Sequence, residues 1–310
     1  MSRNVNNAGQ NTFTVTGVVS EINFREGMNK NNKPYRSGTV IVRVDQTYGG
    51  KSEISEIPIS MFANKFKNDG TMNKVYESMA QMQNTYRSIA QAGLDGASRV
   101  TFSGRSANIR ENMFVSPSNP ETVLSGWRLN AMFANTPRGA ADCATFCMEI
   151  FIMKMEREMN TEGEETGRLK LVGMYVGNRG PNSPAEGNVF TFYVEEPGTI
   201  DYIERNWNEN DTVQVVGRIR YCSEEVQYHS ENSWGEDIPQ TSTRNKHELI
   251  ITKGSDFPME DDMAYDPEDI KALYADRSAR REQLVVDAKN KAKAATATKA
   301  SVSSGYDWEE

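Results

Sequence analysis

The chain has 310 residues, of which 37% are hydrophobic and 25% charged, and its formal net charge is -8. That length is enough for two domains with full cores plus a tail, and the mean hydropathy of -0.66 is typical of a soluble protein with long polar connections. No apolar run approaches the roughly 18 residues of a membrane helix, and the N-terminus lacks an apolar signal core, so we expect a cytoplasmic protein.

The charges are unevenly distributed along the chain. Residues 1–160 contain 18 Lys and Arg against 14 Asp and Glu, whereas residues 161–255 contain 9 against 16 and residues 256–310 contain 8 against 13. An acidic total does not exclude a polyanionic partner when one half of the chain is locally basic. The distribution therefore places an anion-binding face in the first half.

The first half is predicted to contain strands and one helix. A period of two in the apolar residues indicates half-buried strands. A helix is predicted before Gly93 from the residues that recur at helical spacing, which are Met72, Val75, Tyr76, Met79, Met82, Tyr86 and Ile89. The predicted strands are Phe13–Ile22, Tyr35–Val44, Ile54–Met61, Arg99–Arg105 and Phe146–Met155. Between the last two lies a connection of about forty residues, a length that is usually functional or mobile.

The second half repeats this order after a polar, acidic segment, Thr161–Gly167, which we interpret as a linker. A short helix capped by Thr199 follows its second strand. The predicted strands are Leu169–Val176, Val189–Glu195, Thr212–Tyr221 and His247–Thr252.

The C-terminal segment begins a helix at Asp266-Pro267, because an N-cap aspartate and a proline at the first helical position favour helix initiation. We expect this helix to reach about Lys293. A flexible linker of small residues follows at Ala294–Gly305, and the chain ends in an acidic and aromatic tail, Tyr306-Asp307-Trp308-Glu309-Glu310.

Two pairs of similar segments suggest that the halves are copies of one module. Val100-Thr101-Phe102-Ser103-Gly104-Arg105 is matched by Val213-Gln214-Val215-Val216-Gly217-Arg218, and the run Val15–Val19 is matched by Leu171–Tyr175. A glycine inside a strand indicates a bend or a close backbone approach. We therefore predict two small β-barrels, with domains at 1–160 and 167–255 followed by the segment 256–310.

The sequence contains no constellation that we would assign to an enzyme. The glycine-rich stretch 177–187 lacks the Lys-Ser/Thr pair of a phosphate loop. Cys143, Cys147 and Cys222, with His229 or His247, have the residue types of a zinc site, but we interpret the cysteines as buried or incidental reduced thiols. We expect a binding protein that is not an enzyme and needs no cofactor or metal.

A binding surface is predicted instead, starting from residues 24–36, which contain four cations, one anion and the aromatic residues Phe24 and Tyr35. Cations bind backbone phosphates and aromatic faces stack on unpaired bases, although a solvated hairpin tip would have the same composition. Strand parity and loop position extend the candidate surface. The nucleic-acid-binding candidates are Phe24, Arg25, Lys30, Lys33, Tyr35, Arg36, Arg43, Arg99, Arg105, Arg110, Trp127, Arg128, Tyr193, Arg218 and Arg220.

With this strand order, these basic aromatic loops and this tail, the chain resembles single-stranded DNA-binding proteins with tandem OB-folds, especially those of bacteriophages. The resemblance implies a mostly β fold of two five-stranded OB-fold-like barrels, followed by a C-terminal helix and a flexible tail. It also implies coating of exposed strands during DNA replication, recombination or repair, in the host cytoplasm if a phage encodes the protein.

The resemblance further implies that Tyr306, Asp307, Trp308, Glu309 and Glu310 recruit protein partners. The bacterial family ends in Asp-Ile-Pro-Phe, whereas this tail places its aromatic residues before the final glutamates, so the resemblance does not identify the docking partner. The residues themselves do not choose between DNA and RNA. The alternative is an OB-fold scaffold in a replication or virion assembly.

Overall fold

The computed structural model describes residues 3–178, 183–231, 237–260 and 262–303, without the side chains of 222–245 and 292–303. Within these residues the chain is mostly β, and its last element is a long helix. The predicted fold class, a mostly β chain followed by a C-terminal helix, is confirmed.

The first half forms a ring of strands with two helices between its third and fourth strands. Its elements are β1 (Asn11–Met28), β2 (Pro34–Tyr48), β3 (Lys51–Asn64), α1 (Lys74–Thr85), α2 (Ile89–Gly96), β4 (Arg99–Phe102), β5 (Ala107–Val115) and β6 (Val123–Ala131). The strands β1, β2, β3, β6 and β5 are neighbours in that order, and the β3–β6 pairing is parallel. β4 closes the ring because it pairs with β1 and continues through a turn into β5.

The second half forms another ring with a similar order of elements, three strands, one helix and two strands. These are β7 (Cys143–Met159), β8 (Glu165–Asn178), β9 (Ala185–Val194), α3 (Pro197–Asn206), β10 (Thr212–Glu231) and β11 (Asp237–Gly254). β7 pairs with β8, β8 with β9, β9 with β11 in parallel, β11 with β10, and β10 with β7 again. The helix again lies between the third and fourth strands of its ring.

Alternation of side chains places the core inside each ring. In β2 the side chains of Val40, Val42 and Val44 are fully buried, as predicted from their spacing. Two backbones meet closely at Gly17, because a Cβ on this residue would lie 2.2 Å from the carbonyl oxygen of Arg43. The sequence prediction of close approach at strand glycines is therefore correct at Gly17.

The two rings share one continuous sheet. The beginning of β7 lies between β1 and β10, since Phe146 is the register partner of both Phe13 and Gly217. The end of β7 pairs with β8. Its pairing with β8 and β10 closes the second ring, whereas the sequence assigned the strand Phe146–Met155 to the first half. The division into domains at residues 160–167 stays a prediction.

The connections differ most from the sequence predictions. The long connection after Arg105 contains β5 and β6, and Thr161–Gly167 lies at the turn of the β7–β8 hairpin, where the side chain of Asn160 accepts hydrogen bonds from the backbone N–H groups of Glu162 and Glu164. The two Gly-Arg segments hold equivalent places in the two rings. The other matched pair does not, because Val15–Val19 lies in β1, the first strand of its ring, and Leu171–Tyr175 lies in β8, the second strand of its ring.

Three helix boundaries also differ from the predicted ones. The predicted first helix breaks at Tyr86, which has extended backbone angles, and α3 begins at Pro197 after the N-cap Glu196. The C-terminal helix, α4 (Pro267–Ser303), runs through most of the predicted linker. Alanine is the best helix former, so an alanine-rich stretch extends a helix that has already begun.

Helix α4 packs across both rings. Ile270 and Leu273 are buried with Phe151 and Met174 of the second ring, and Arg277 forms an ion pair with Glu111 of β5. Among the described residues, no helix has both the length and the apolar character needed to cross a membrane.

Candidate nucleic-acid interface

The β1–β2 hairpin tip presents two lysines on an ordered turn. The side-chain oxygen of Asn29 accepts hydrogen bonds from the backbone N–H groups of Asn31 and Lys33, both at 2.9 Å. Side chains of this kind define turns by replacing backbone acceptors. Lys30 and Lys33 are exposed, and neither has an acidic partner among the described residues.

An aromatic surface lies beside this tip on the outer face of the sheet. The Tyr35 ring covers Gly27, because a Cβ on that glycine would lie 2.8 Å from Tyr35 Cζ. The rings of Tyr35 and Phe62 are 5.4 Å apart between centroids, and 58% of Phe62 is exposed. Arg25 lies on the same face, since the register aligns it with Ser37 and Ser37 with Phe62.

We call this surface the platform and define it by Arg25, Lys30, Lys33, Tyr35 and Phe62. Its aromatic rings are accessible and its cations are not neutralised by carboxylates in the described part of the chain. Phe62 was missed from the sequence because the predicted third strand stopped one residue earlier. The alternation Ile57, Ile59, Met61 would have placed the next residue, Phe62, on the outer face.

Two predicted residues of the same hairpin face inward. Phe24 packs against the core, and Arg36 is 9% exposed, forms an ion pair with Glu26 and lies 4.6 Å from the Tyr76 ring centroid. The hydrogen bond from Arg36 lowers the pKa of Glu26 below its usual value. Phe24 and Arg36 therefore lie on the opposite strand face from Arg25 and Tyr35, and their part in binding nucleic acid stays a prediction.

Arg43 and Arg99 lie at the other end of the sheet from the hairpin tip. Arg43 pairs with Asp45 at 3.3 Å, and Arg99 pairs with Asp142 at 2.5 Å. They are not brought together with the platform, and their charges are partly neutralised by these acids.

Arg105, Arg110 and Arg128 lie around β5 and β6. Arg105 is exposed in the turn between β4 and β5 instead of continuing a strand, because Gly104 has a positive φ of 76°. Arg110 and Arg128 are exposed register partners of β5 and β6. Trp127 does not flank them as an open stacking surface, since it packs against the core and its ring meets Tyr221 edge-on at 6.3 Å.

The candidates in the second ring already contact other side chains, since the two arginines pair with acidic residues and the tyrosine lies beside an arginine. Arg218 is 7% exposed and pairs with Glu53 at 3.0 Å and Glu195 at 2.7 Å, so it is not an outward-facing cation as expected. Arg220 pairs with the same two acids and with Glu248 at 2.9 Å. The remaining candidate is Tyr193, whose ring lies 4.1 Å from the Arg168 guanidinium.

The protonation states follow from this network. Burial by itself raises the pKa of Glu195, but hydrogen bonds and charge from Arg220 and Arg218 outweigh burial and lower it. Burial opposes the charge of Arg220, yet the hydrogen bonds that it donates to Glu195 and Glu248 raise its pKa. Both arginines are paired with carboxylates, whereas the platform cations of the first ring have no acidic partner among the described residues.

No group of three or more His, Cys, Asp or Glu residues that could hold a metal ion occurs among the described residues. Burial raises the pKa of the Cys147 thiol, which favours its neutral form. The tail candidates Tyr306, Asp307, Trp308, Glu309 and Glu310 lie outside the described residues.

Comparisons with known proteins match this chain to one sequence family. The sequence profile of the YorF family matches residues 10–291. Among solved structures, the single-stranded DNA-binding protein of Thermus aquaticus is 7% identical with a TM-score of 0.48, over 82% of this chain and 95% of that chain. A deletion mutant of that protein is 9% identical with a TM-score of 0.46, over 84% and 98%.

A third solved structure, the Plasmodium falciparum SSB complex with ssDNA, is 12% identical with a TM-score of 0.24, over 40% of this chain and 100% of that chain. No curated protein sequence matches this chain significantly.

Proposed function

This chain belongs to the YorF family, and we propose that it binds single-stranded DNA without strong sequence preference, coating exposed strands in replication, recombination or repair. The observation that carries the proposal is the platform. Its Tyr35 ring lies over Gly27 and beside Phe62, within a surface whose three cations have no acidic partner among the described residues.

The platform offers the two interactions that an unpaired strand needs. Base stacking on an aromatic ring contributes about 1–3 kcal/mol per base and tolerates any base, because every base has a π-face. Lys and Arg displace counterions from the phosphate backbone, which gives affinity without sequence information. In a duplex the base faces are already stacked, so the platform favours single strands.

The order of strands supports a further part of the proposal, that each ring is an OB-fold. OB-folds are five-stranded, partly open barrels that bind oligonucleotides on the face of strands 2 and 3 and on adjacent loops. Strands β2 and β3 carry Tyr35 and Phe62, and the β1–β2 turn carries Lys30 and Lys33. A phage replication role and recruitment of partners by the tail belong to the same proposal.

The test is a titration of labelled oligonucleotides with the full chain, followed by fluorescence anisotropy. We expect single-stranded DNA to bind more tightly than duplex DNA, with a log-log salt slope of about -0.7 per phosphate contact. A parallel titration with single-stranded RNA measures the preference for sugar type. Equal affinity for duplex and single strand would contradict the proposal and favour a scaffold role.

Matched variants assign the binding to the platform. Tyr35→Leu should weaken binding by about 1–3 kcal/mol, whereas Tyr35→Phe, which keeps the ring, should bind as the natural chain does. Lys30→Ala should mainly reduce the salt slope. Arg87→Ala, at an exposed arginine outside the platform, is the control and should change neither quantity.

A further inference from the structure

A cleft of about 650 Å³ lies between the two rings, away from the platform. Its first-ring wall includes Asn11, Arg105 and Arg110, and its second-ring wall includes Tyr175 and Gly177. The volume is in the range of small-molecule sites, which is about 300–1,000 Å³. Both rings therefore contribute to one concave surface.

The charges in this cleft leave a positive excess. Its two acids are both paired, since Glu149 accepts a hydrogen bond from Arg3 at 2.8 Å and Glu186 forms an ion pair with Arg280. Arg105 is exposed and has no acidic partner in the described ranges. The cleft can therefore accept negative charge without breaking an existing pair.

Arg110 adds a second reason to expect an anion. Its Nε donates to Asn108 Oδ1 at 3.2 Å, and it has no carboxylate partner among the residues the structure describes. It also lies opposite Arg128 in the β5–β6 register. Like charges directly opposite each other destabilise a sheet, so a bound anion would relieve their repulsion.

Tyr175 supplies an aromatic ring to the same cleft. The ring lies along β8 over Gly177, because a Cβ on that glycine would lie 2.5 Å from Tyr175 Cε1. Burial raises the pKa of Tyr175, and the positive charge of Arg110 opposes this rise, which is consistent with the two groups being neighbours. As on the platform, a tyrosine ring lies over a strand glycine, but here both residues belong to β8. Tyr175 is half-buried and packs partly against the core, and it still lines the cleft.

We propose that the cleft is a second subsite for a single DNA strand, in which one base stacks on Tyr175 and neighbouring phosphates bind Arg105 and Arg110. This inference rests on the proposed function. A free nucleotide is usually held by backbone N–H groups at a helix N-terminus. The lining residues that the structure describes all lie outside α-helices, and Arg105 lies in a single 3-10 turn. Two separate guanidinium groups suit the single charges of a phosphodiester backbone.

The first experiment locates the strand on the natural full-length chain. Oligothymidylates carrying one 5-iododeoxyuridine at successive positions are bound, irradiated and digested, and crosslinked peptides are identified by mass spectrometry. We expect one set of positions to crosslink near Tyr35 or Phe62 and another to crosslink to Tyr175. Tight binding with crosslinks confined to the platform would overturn the cleft subsite and leave the proposed function intact.

The second experiment uses variants in the same binding assay, with thermal unfolding as a check of the fold. Tyr175→Leu should weaken binding by about 5- to 150-fold, and Tyr175→Phe should retain it. Joint replacement of Arg105 and Arg110 by Ala should reduce the salt slope by about 0.7 per arginine, while Arg87→Ala leaves it unchanged.

Unchanged affinity and salt slope in the folded cleft variants would reject the subsite, even if Tyr35→Leu weakens binding. Absence of any oligonucleotide binding by the natural chain would reject the proposed function together with it. dTMP is the competing probe. If dTMP protects Tyr175 from crosslinking at concentrations that leave platform crosslinks intact, the cleft is a free-nucleotide site and the strand assignment is wrong.

Discussion

Gly27 determines whether the Tyr35 ring can lie flat on the sheet. A Cβ at this position would come within 2.8 Å of both Cζ and the hydroxyl oxygen of Tyr35, closer than real contacts allow. We therefore expect Gly27→Ala to displace the ring and to weaken binding of single-stranded DNA by up to about 1–3 kcal/mol, the contribution of one stacked base. Fluorescence anisotropy with a labelled oligonucleotide measures the loss.

Gly126→Ala provides the matched control for that substitution. Gly126 also lies in a strand of the first ring, but a Cβ there meets no atom within 4 Å. It should bind as the natural chain does. If both variants bind equally well, the position of the Tyr35 ring over Gly27 is irrelevant to binding.

Individual side chains show where the sequence alone predicts which face of a strand a residue occupies and where it does not. The alternation of β2 correctly placed Tyr35 outside and Val40 and Val42 inside. Residue type was a weaker guide, because Arg36 was selected for its charge although the same alternation places it inside. Its partner Glu26 is set by the β1–β2 register, which depends on the turn and is not visible in either strand alone.

Helix α4 is held to the rings by a buried ion pair. The Arg277 side chain is 6% exposed and that of Glu111 is 2% exposed, and Glu111 also accepts hydrogen bonds from the Val189 backbone N–H and the Ser125 hydroxyl. Removing one partner leaves a buried charge uncompensated. Arg277→Ala should therefore lower the free energy of unfolding by about 3–5 kcal/mol, as measured by urea denaturation.

A second ion pair of the same helix serves as the control. Lys289 contacts Glu121 at 2.8 Å, but both side chains are largely exposed. Exposed pairs contribute about 0–1 kcal/mol, so Lys289→Ala should be nearly neutral. Similar losses in the two variants would mean that burial of the Arg277–Glu111 pair adds nothing to the docking of α4.

The β10–β11 pair contains a histidine whose protonation opposes folding. His247 lies opposite Tyr221 in the register, and their rings stack with centroids 3.6 Å apart. His247 as a whole is exposed, but partial burial of its ring lowers its pKa below the usual value of 6.5. Since the unfolded chain binds this proton more readily, the contribution of His247 to stability is complete above pH 6.5 and decreases as the pH falls through 6.5 towards the folded value.

Urea denaturation between pH 5 and 8 measures this dependence, and NMR titration of the imidazole signals measures the pKa directly. His247→Phe keeps an aromatic ring for the stack and should flatten the part of the profile just below pH 6.5. An unchanged profile in that variant would assign the dependence to other groups.

The strands were predictable where one face is buried and the other polar. β5 and β6 were missed because apolar residues also occupy their outer positions, with Phe114 44% and Leu124 42% exposed. That composition obscures the period of two on which strand prediction depends. The cleft could not be predicted at all, because Tyr175 and Arg110 meet only through the packing of two rings that are far apart in sequence.

The distribution of charge over the whole molecule explains why the first ring is the stronger candidate for binding. In the second ring, Arg168, Arg218 and Arg220 share the carboxylates of Glu195 and Glu248. Glu53 of β3 joins the same network from the first ring, so these contacts connect the two halves. The platform cations lack such partners within the described residues, which leaves their charge available to a phosphate backbone.

The acidic tail lies outside the described residues, but its sequence supports one more prediction. Asp307, Glu309 and Glu310 can compete with phosphates for the basic first half, and exposed charges are screened within about 8–10 Å at ordinary salt. Removal of residues 301–310 should leave the rings folded and tighten strand binding by about 1 kcal/mol or less, more so at low salt. Anisotropy titrations at two salt concentrations measure this change.

The same truncation should abolish recruitment of a replication or repair protein if Tyr306 and Trp308 act as anchors in a partner's pocket, as buried aromatic residues often do. A variant with Asp307→Asn, Glu309→Gln and Glu310→Gln keeps the aromatic side chains of Tyr306 and Trp308 and removes the acidic side chains. It should tighten DNA binding as the truncation does while retaining any contact made by the aromatic residues alone. Pull-downs from host or phage-infected lysate compare the three chains, and identical partners for the natural and truncated chains would reject recruitment by the tail.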